Sequence, residues 1–535
     1  MLQSRPRLDA NGQSDIRHIM KNFFISTAIS YPNGAPHIGH GYEVIATDII
    51  ARFKRALGYR VWFVTGTDDH GQKMYQTARA QGKTARDLAD ELTPAFRDMV
   101  SALNCTPDDF IRTSEPRHYA SVQEMWRRIA QNGDIYKDSY AGWYSVRDEA
   151  FYTESELIIS EQGEKSAPTG TPVEWLEEES YFFRLSAYQD ALLAYFEAHP
   201  EFIQPEARRN EIIQFVSSGL KDLSISRTSF DWGIPVPDDP AHVIYVWMDA
   251  LTNYISSLGF PDTMSDQWRD FWPGDVHIIG KDITRFHTVY WPAFLMSAGL
   301  DLPKHVFAHG FLTVRGEKMS KSVGNVLDPM ALVERYGSDA VRYFFAREVP
   351  FGRDGSFSDE AIVNRVNADL ANDLGNLSQR CLSMITKNCS GVVTQGSGLK
   401  EIDRALIAQM DACAGTVQQA MESYEIHSYA SQVMSVVSEA NRYFAAQEPW
   451  ALKKTDPDRM SAILYTAAEI VRQAAILLSP IIPIGCKKLL DGLAIAEDGR
   501  DFSALGEAGR LRDGASIPAP EPAFPRLELP PEAAQ

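Results

Sequence analysis

The stretch YPNGAPHIGHG, residues 31 to 41, places His37 and His40 three residues apart among glycines and prolines. Histidines spaced in this way suit three roles: metal ligands on a helix, donors to a phosphate at a helix start, or simple helix caps. A metal needs further ligands, and Asp69 and His70 in TDDHG are the candidates. A phosphate needs backbone room and donors. Gly34 and Gly39 give the room, Pro36 stiffens the entry, and imidazole N–H donors gain strength as negative charge builds in a transition state. A second stretch, RGEKMSKSVGN (315–325), carries Lys318, Ser320, Lys321 and Ser322 between Gly316 and Gly324. Ammonium groups on a glycine-flanked loop can close onto a triphosphate. Surface lysines are common, so Lys-x-x-Lys alone says little. The histidine pair and the lysine pair together, about 280 residues apart, favour phosphate chemistry over a metal.

These loops need a scaffold that brings distant parts of the chain together. KNFFISTAIS (21–30) is apolar and β-prone and stops at YPNG, so it reads as a buried strand ending in a turn. Ile38, Val44, Ile45, Ile49, Ile50 and Phe53 suit a helix. YRVWFVTGTDDHG (59–71) reads as a second strand running into a loop, and TARDLADELTPAFRDMVSAL as another helix. This alternation, with chemistry in the loops at strand C-termini, predicts a doubly wound, Rossmann-like parallel sheet beginning in residues 20–116. From 117 to 236 the pattern turns aromatic and turn-rich, as in GDIYKDSYAGWYSVRDEAFYTESEL, and predicts an inserted α+β connective domain. HVIYVWMDAL (242–251), DVHIIGKDI (275–283) and HVFAHGFLTV (305–314) are expected to complete the parallel sheet, so the catalytic half resumes over 237–325. A connecting stem follows over 326–360. Val363, Val366, Leu370, Leu374 and Leu377, then Val433, Val437, Ala440 and Phe444, recur at helical spacing and predict an α-helical bundle over 361–500. Residues 1–19 mix Arg5, Arg7 and Arg17 with Asp9 and Asp15 and read as a disordered leader, with Met20 as an alternative start. Residues 501–535 are a Pro-rich tail whose Phe524 and Leu527 could pack back onto the body.

A chain of 535 residues exceeds a single core, and 44% hydrophobic with 23% charged residues fits a globular protein. No run of eighteen apolar residues occurs, so no membrane span is predicted. Five scattered cysteines without any C-x-x-C argue against a disulfide scaffold and suit a reducing compartment. The net charge of −19 means that any RNA must be met through local basic surface and shape.

The two hallmark stretches resemble those of class I aminoacyl-tRNA synthetases. AISYPNGAPHIGHGYEVIATD, TGTDDHGQK, VWMDALTNY, IIGKDITRFHTVYWPA, HGFLTVRGEKMSKSVGN, RVNADLANDLGNL and NRYFAAQEPW narrow the resemblance to methionyl-tRNA synthetases, over roughly residues 20 to 500. The resemblance implies that Ala28, Ile29, Tyr31, Asp68, Trp247, Ala250, Tyr254, Ile283 and His287 bind L-methionine, with Asp68 gripping its ammonium group. It implies that Asn33, Gly34, His37, Gly39, His40, Ser320 and Lys321 bind ATP, with His37, His40, Lys318 and Lys321 catalytic. Asn376, Arg380 and Trp450 match the anticodon-reading residues, and Lys453 with Lys454 could meet phosphate. The implied reaction forms methionyl-adenylate from methionine and ATP, with Mg²⁺ arriving on ATP, then charges the 3′ end of tRNA(Met), initiator tRNA included.

The chain departs from many relatives in one respect. Residues 117–236 hold no cysteine, where those relatives carry zinc knuckles, so an aromatic hairpin is expected in their place and no structural zinc. The bundle is followed by too few residues for an added tRNA-binding barrel, which leads to the expectation of a monomer, cytoplasmic and away from membranes. Rival readings are a small nucleotidyltransferase with a His-x-Gly-His loop, which would not need the bundle, a different class I synthetase, or an RNA-binding scaffold with a dead core. Valyl-, isoleucyl- and leucyl-type enzymes need a larger editing insertion, and a cysteinyl-type enzyme needs a zinc site. Intact His37, His40 and Lys321 speak against a scaffold.

Overall fold

The structure, a computed structural model, describes residues 21–147, 150–160, 163–314, 316–318, 326–395 and 398–530. The proposed leader and residues 319–325, Ser320 and Lys321 among them, lie outside the described residues.

β1 (Asn22–Thr27) leads through the histidine loop into α1 (Ile38–Ala56). β2 (Arg60–Thr67), α2 (Gln72–Ala80), α3 (Ala85–Ala102), β3 (Asp109–Arg112) and α4 (Pro116–Gln131) follow. The next stretch forms β4 (Ile135–Ser145), β5 (Ala150–Tyr152), β6 (Glu174–Phe183), β7 (Ile203–Gln204) and β8 (Leu223–Ser224). Then come β9 (Asp239–Ile244), α5 (Val246–Leu251), β10 (Val276–Gly280) and β11 (His305–His309). The central sheet runs in the order β3–β2–β1–β10–β11–β7, and every pairing in it is parallel. Both of its faces are covered. Phe23, Ile25, Val61, Phe63, Val276 and Ile278 join the core on the α1 side, while Phe24, Val64 and Ile279 join the core on the α4 and α5 side. Burial on both faces is why these strands are nearly continuous apolar runs.

HVIYVWMDAL is not a strand of this sheet. Its first part, within β9, pairs antiparallel in a separate three-stranded sheet with Ser226–Arg227 and Pro235–Val236, and its second part is the helix α5. A short apolar run carries no period that separates the two states. The inserted stretch forms an antiparallel sheet, β8–β6–β4–β5, in which Trp143 and Trp175 meet edge to face at 5.3 Å. The same stretch also supplies β7, which closes the edge of the central sheet beside β11.

Beyond β11, β12 (Leu312–Val314) pairs with β13 (Glu317–Lys318) and with β14 (Gly355–Phe357), and α6 (Ser338–Glu348) lies between β13 and β14 in the chain. α7 (Asn376–Asn388), α8 (Glu401–Glu422), α9 (Ile426–Gln447) and α10 (Pro457–Leu478) form the helical part. α10 is long and apolar enough to cross a bilayer by composition, but 94% of that window is buried inside the protein, as for a core helix. The last segment folds back. Ala515–Ser516 pairs with Val392–Val393, and Leu527 exchanges two backbone hydrogen bonds with the Asn367 side chain, at 2.8 and 2.9 Å.

Arg342 on α6 joins the two halves. Its guanidinium pairs with Asp48 of α1 at 2.7 Å and donates to the carbonyls of Pro480 and Ile481 in the helical part, each at 2.8 Å. Both side chains are fully buried. Burial pushes the Asp48 carboxyl up, but the charges of Arg342 and Arg52 outweigh it and hold it below the usual carboxylate range.

Candidate active site

His37 is the N-cap of α1, and both histidines use Nδ1 to accept backbone N–H groups. Gly39 donates to His37 Nδ1 at 3.1 Å, and His37 N–H donates to His40 Nδ1 at 3.1 Å. An Nδ1 that accepts puts the proton of the neutral ring on Nε2. The two rings stack at 3.8 Å with 19° between their planes. Capping and phosphate donation are therefore not rivals here, because the cap uses one nitrogen of each ring and sets the other as a donor. The metal reading loses its second pair of ligands. Asp69 accepts from Arg112 Nε at 2.8 Å and from Thr67 at 2.9 Å, and His70 Nδ1 binds Asp249 at 2.6 Å.

The first and second loops lie side by side. Ser30 N–H donates to Gly66 O at 2.9 Å, and Asp68 N–H donates to Ser30 O at 2.8 Å. On the other edge of β2, Gly66 permits the close approach of β3, since a Cβ there would stand 2.0 Å from the Ile111 carbonyl oxygen. Asp68 is 8% exposed and accepts from Thr113 Oγ1 at 3.4 Å. Tyr31 Oη accepts from Met74 N–H at 2.9 Å, which fixes its ring against α2. Asn33 closes a tight turn onto the Tyr31 carbonyl at 2.9 Å.

Ala28, Ile29, Trp247 and Ile283 are partly buried and pack on the same core, which contains Tyr254. Trp247 stacks on Phe286 at 3.8 Å, nearly parallel at 5°. Ala250 is buried beside it on α5. Tyr254 donates to His287 Nε2 at 2.7 Å, and His287 Nδ1–H donates to Ile283 O at 3.0 Å. That pattern requires a neutral imidazole. Burial supplies it, pushing His287 down to about 4. Behind Tyr254, His277 stacks on its ring at 3.9 Å, and burial holds that imidazole neutral too.

Sequence reasoning left several partners unassigned. Asp249 accepts from His70 at 2.6 Å and from His118 Nε2 at 2.7 Å. Burial raises its carboxyl, but the two imidazoles prevail and keep it below the usual range. Glu43, one turn after His40, meets His309 Nε2 at 2.8 Å, while His309 Nδ1 meets Gly310 O at 2.8 Å. Burial lowers His309, yet Glu43 raises it further, so the ring can donate from both nitrogens. This ties α1 to the strand before the lysine loop. Phe286 and Asp249 stand inside motifs already quoted, ITRFH and VWMDAL, but only their neighbours drew attention.

Lys318 is placed by its backbone alone, opposite Thr313 in β12, with Ser320 and Lys321 beyond the described residues. Asn376 and Arg380 share one face of α7. The Arg380 guanidinium lies 4.9 Å from the Phe444 ring and 5.4 Å from the Trp450 ring, and Trp450 is 48% exposed. Arg380, half-buried, thus stands beside the exposed Trp450 over the buried Phe444, and the exposed Asn376 lies one turn before Arg380 on α7.

Residues 23–382 match the family described as tRNA synthetases class I (M), and residues 393–530 match the anticodon binding domain of methionyl tRNA ligase. The methionine–tRNA ligase of Brucella suis is 62% identical over 506 residues, covering 95% of this chain and 98% of that protein. The one from Rhizobium meliloti is 59% identical over 508 residues, with the same coverage of each chain. The Mycobacterium tuberculosis methionyl-tRNA synthetase in complex with methionyl-adenylate superposes with a TM-score of 0.93 at 54% identity, covering 95% of this chain and 100% of that one.

Proposed function

The chain belongs to the methionyl-tRNA synthetase family, and on that premise we propose how its residues divide the labour of charging tRNA(Met). The reaction activates L-methionine with ATP to methionyl-adenylate and then joins the methionyl group to tRNA. In the first step a methionine carboxylate oxygen attacks the α-phosphorus, the bond to the β-phosphate bridge breaks, and pyrophosphate leaves. No enzyme nucleophile takes part, so positioning and charge neutralisation carry the rate. His37 and His40 donate from Nε2 to phosphate oxygens. Lys318 and Lys321 neutralise the departing pyrophosphate, with Ser320 beside them. Asn33, Gly34 and Gly39 line the nucleotide's approach. Mg²⁺ enters as part of the ATP substrate, held by phosphate oxygens as a hard cation prefers.

Methionine lies with its ammonium on Asp68 and its thioether against Trp247, Tyr254, Ile283 and His287, with Ala28, Ile29, Tyr31 and Ala250 filling the remaining wall. Aromatic edges favour a polarizable sulfur. In the second step the terminal ribose 2′-OH attacks the adenylate carbonyl and AMP leaves. Asn376, Arg380 and Trp450 read the unstacked anticodon by hydrogen bonds and stacking. Initiator and elongator tRNA(Met) share that anticodon, so both are substrates. The enzyme acts as a cytoplasmic monomer.

The observation that most supports these roles is the locked tautomer of the histidine pair, since both acceptor nitrogens are used by the backbone. The deciding experiment is amino-acid-dependent exchange of pyrophosphate into ATP across the twenty amino acids. Stimulation by methionine alone is the expected result, and silence with all twenty would sink the reading.

A further inference from the structure

The methionine pocket is walled by elements distant in sequence: the loop after β2, which carries Asp68, and α5 with the following helix Asn253–Ser256, which carry Trp247, Ala250 and Tyr254. A buried polar chain runs behind both. Tyr119 Oη meets His70 Nε2 at 3.1 Å, His70 Nδ1 meets Asp249 Oδ2 at 2.6 Å, Asp249 Oδ1 meets His118 Nε2 at 2.7 Å, and His118 Nδ1 meets Ser256 Oγ at 2.9 Å. We infer that Asp249 is a positioning residue for methionine recognition, and that its carboxylate, held by His70 and His118, fixes the Trp247–Tyr254 wall against the Asp68 loop. The inference rests on the reading of Asp68 and Trp247 given above.

Three features carry it. His70 stands two residues after Asp68, so its grip on Asp249 sets the distance between that loop and α5. On a helix, residues two apart point about 200° apart. Asp249, fully buried, faces inward while Trp247 faces the pocket and stacks on Phe286. His118 and Ser256 extend the same grip from α4 to the helix that carries Tyr254. Stability alone is a poor reason for the arrangement, because a buried ionised carboxylate with two polar partners is often matched or bettered by well-packed apolar residues. A carboxylate with both oxygens engaged from different elements gives fixed geometry instead.

The test uses the full-length enzyme and methionine-dependent pyrophosphate exchange, with thermal unfolding as a check on folding. Asp249→Asn is expected to raise the methionine KM by about tenfold or more while the ATP KM stays within about twofold. His118→Gln keeps an N–H donor at the Nε2 position, whereas His118→Asn moves it to the Nδ1 position. H118Q is therefore expected within about threefold of the wild-type methionine KM, and H118N about tenfold above it. That pair decides the matter even if D249N fails to fold. Equal effects of H118Q and H118N overturn the inference, as does a D249N enzyme whose methionine and ATP KM rise together or do not move. A wild-type enzyme without methionine-dependent exchange would instead overturn the functional reading on which the inference rests.

Discussion

On the proposed roles, His37 serves fold and chemistry with different atoms. Its Nδ1 caps α1, and the proton that this places on Nε2 makes that nitrogen a donor. Asparagine is a good N-cap whose oxygen can take the Gly39 N–H, but it has nothing at the Nε2 position. His37→Asn is therefore expected to leave the unfolding midpoint nearly unchanged and to lower the adenylation kcat by about 10²-fold, the usual loss for one transition-state donor. Stopped-flow adenylate formation with a parallel melt checks this, and a large stability loss with normal chemistry would refute it. His287 gives a pH prediction. Its pKa is pushed down to about 4 in the folded protein, against about 6.5 when unfolded. Above about pH 6.5 both states are neutral and its full contribution to stability is present. As pH falls towards 4 the unfolded chain binds a proton that the native ring refuses, so stability falls. Between pH 6.5 and 5 the loss is about 2 kcal/mol, and below the folded pKa it levels off. His277, also held neutral by burial, acts in the same direction. Urea unfolding at pH 7 and pH 5 should show a shallower acid dependence for His287→Gln than for wild type, and equal slopes would contradict the assignment.

The elements show what was legible in the sequence and what was not. α1 and α3 are long and periodic, β1 and β2 are apolar runs that stop at turn residues, and the resemblance to known synthetases placed the residues around them. β3 and β7 are four and two residues long, too short to carry a period, and they appear only as partners of β2 and β11. HVIYVWMDAL reads as one strand because an antiparallel strand runs into a helix without a polar break. Asp249 and His118 are 131 residues apart, a pairing that no local pattern announces. The Arg342–Asp48 contact between α6 and α1 belongs to the same class, at the junction of sheet and bundle. Removing Arg342 leaves the buried Asp48 carboxylate with Arg52, at 2.7 Å, in place of two cations. Arg342→Met is expected to destabilise the protein by about 3–5 kcal/mol, read as a lower denaturation midpoint. A change below 1 kcal/mol, that is, well under the range for a buried ion pair, would show that Arg52 alone suffices to hold Asp48.

At the scale of the whole molecule, the proposed division of labour gives Arg380 and Trp450 on the bundle and the histidine loop on the sheet separable tasks. Base stacking on an aromatic side chain is worth about 1–3 kcal/mol. Trp450→Ala is therefore expected to lower kcat/KM for tRNA in aminoacylation by roughly 10- to 100-fold, while methionine-dependent exchange stays at the wild-type rate. Loss of exchange would mean that Trp450 is not confined to reading the anticodon. The central sheet has a further consequence, one of timing. β1 binds β10 across a separation of 251 residues, so a nascent chain that has made β1 lacks the neighbour that covers its inner edge. At 5–20 residues per second that neighbour emerges roughly 12–50 s later. For that interval an apolar strand waits with one row of backbone groups unpaired, the condition under which a growing chain is prone to aggregate before the second half of its own sheet is translated.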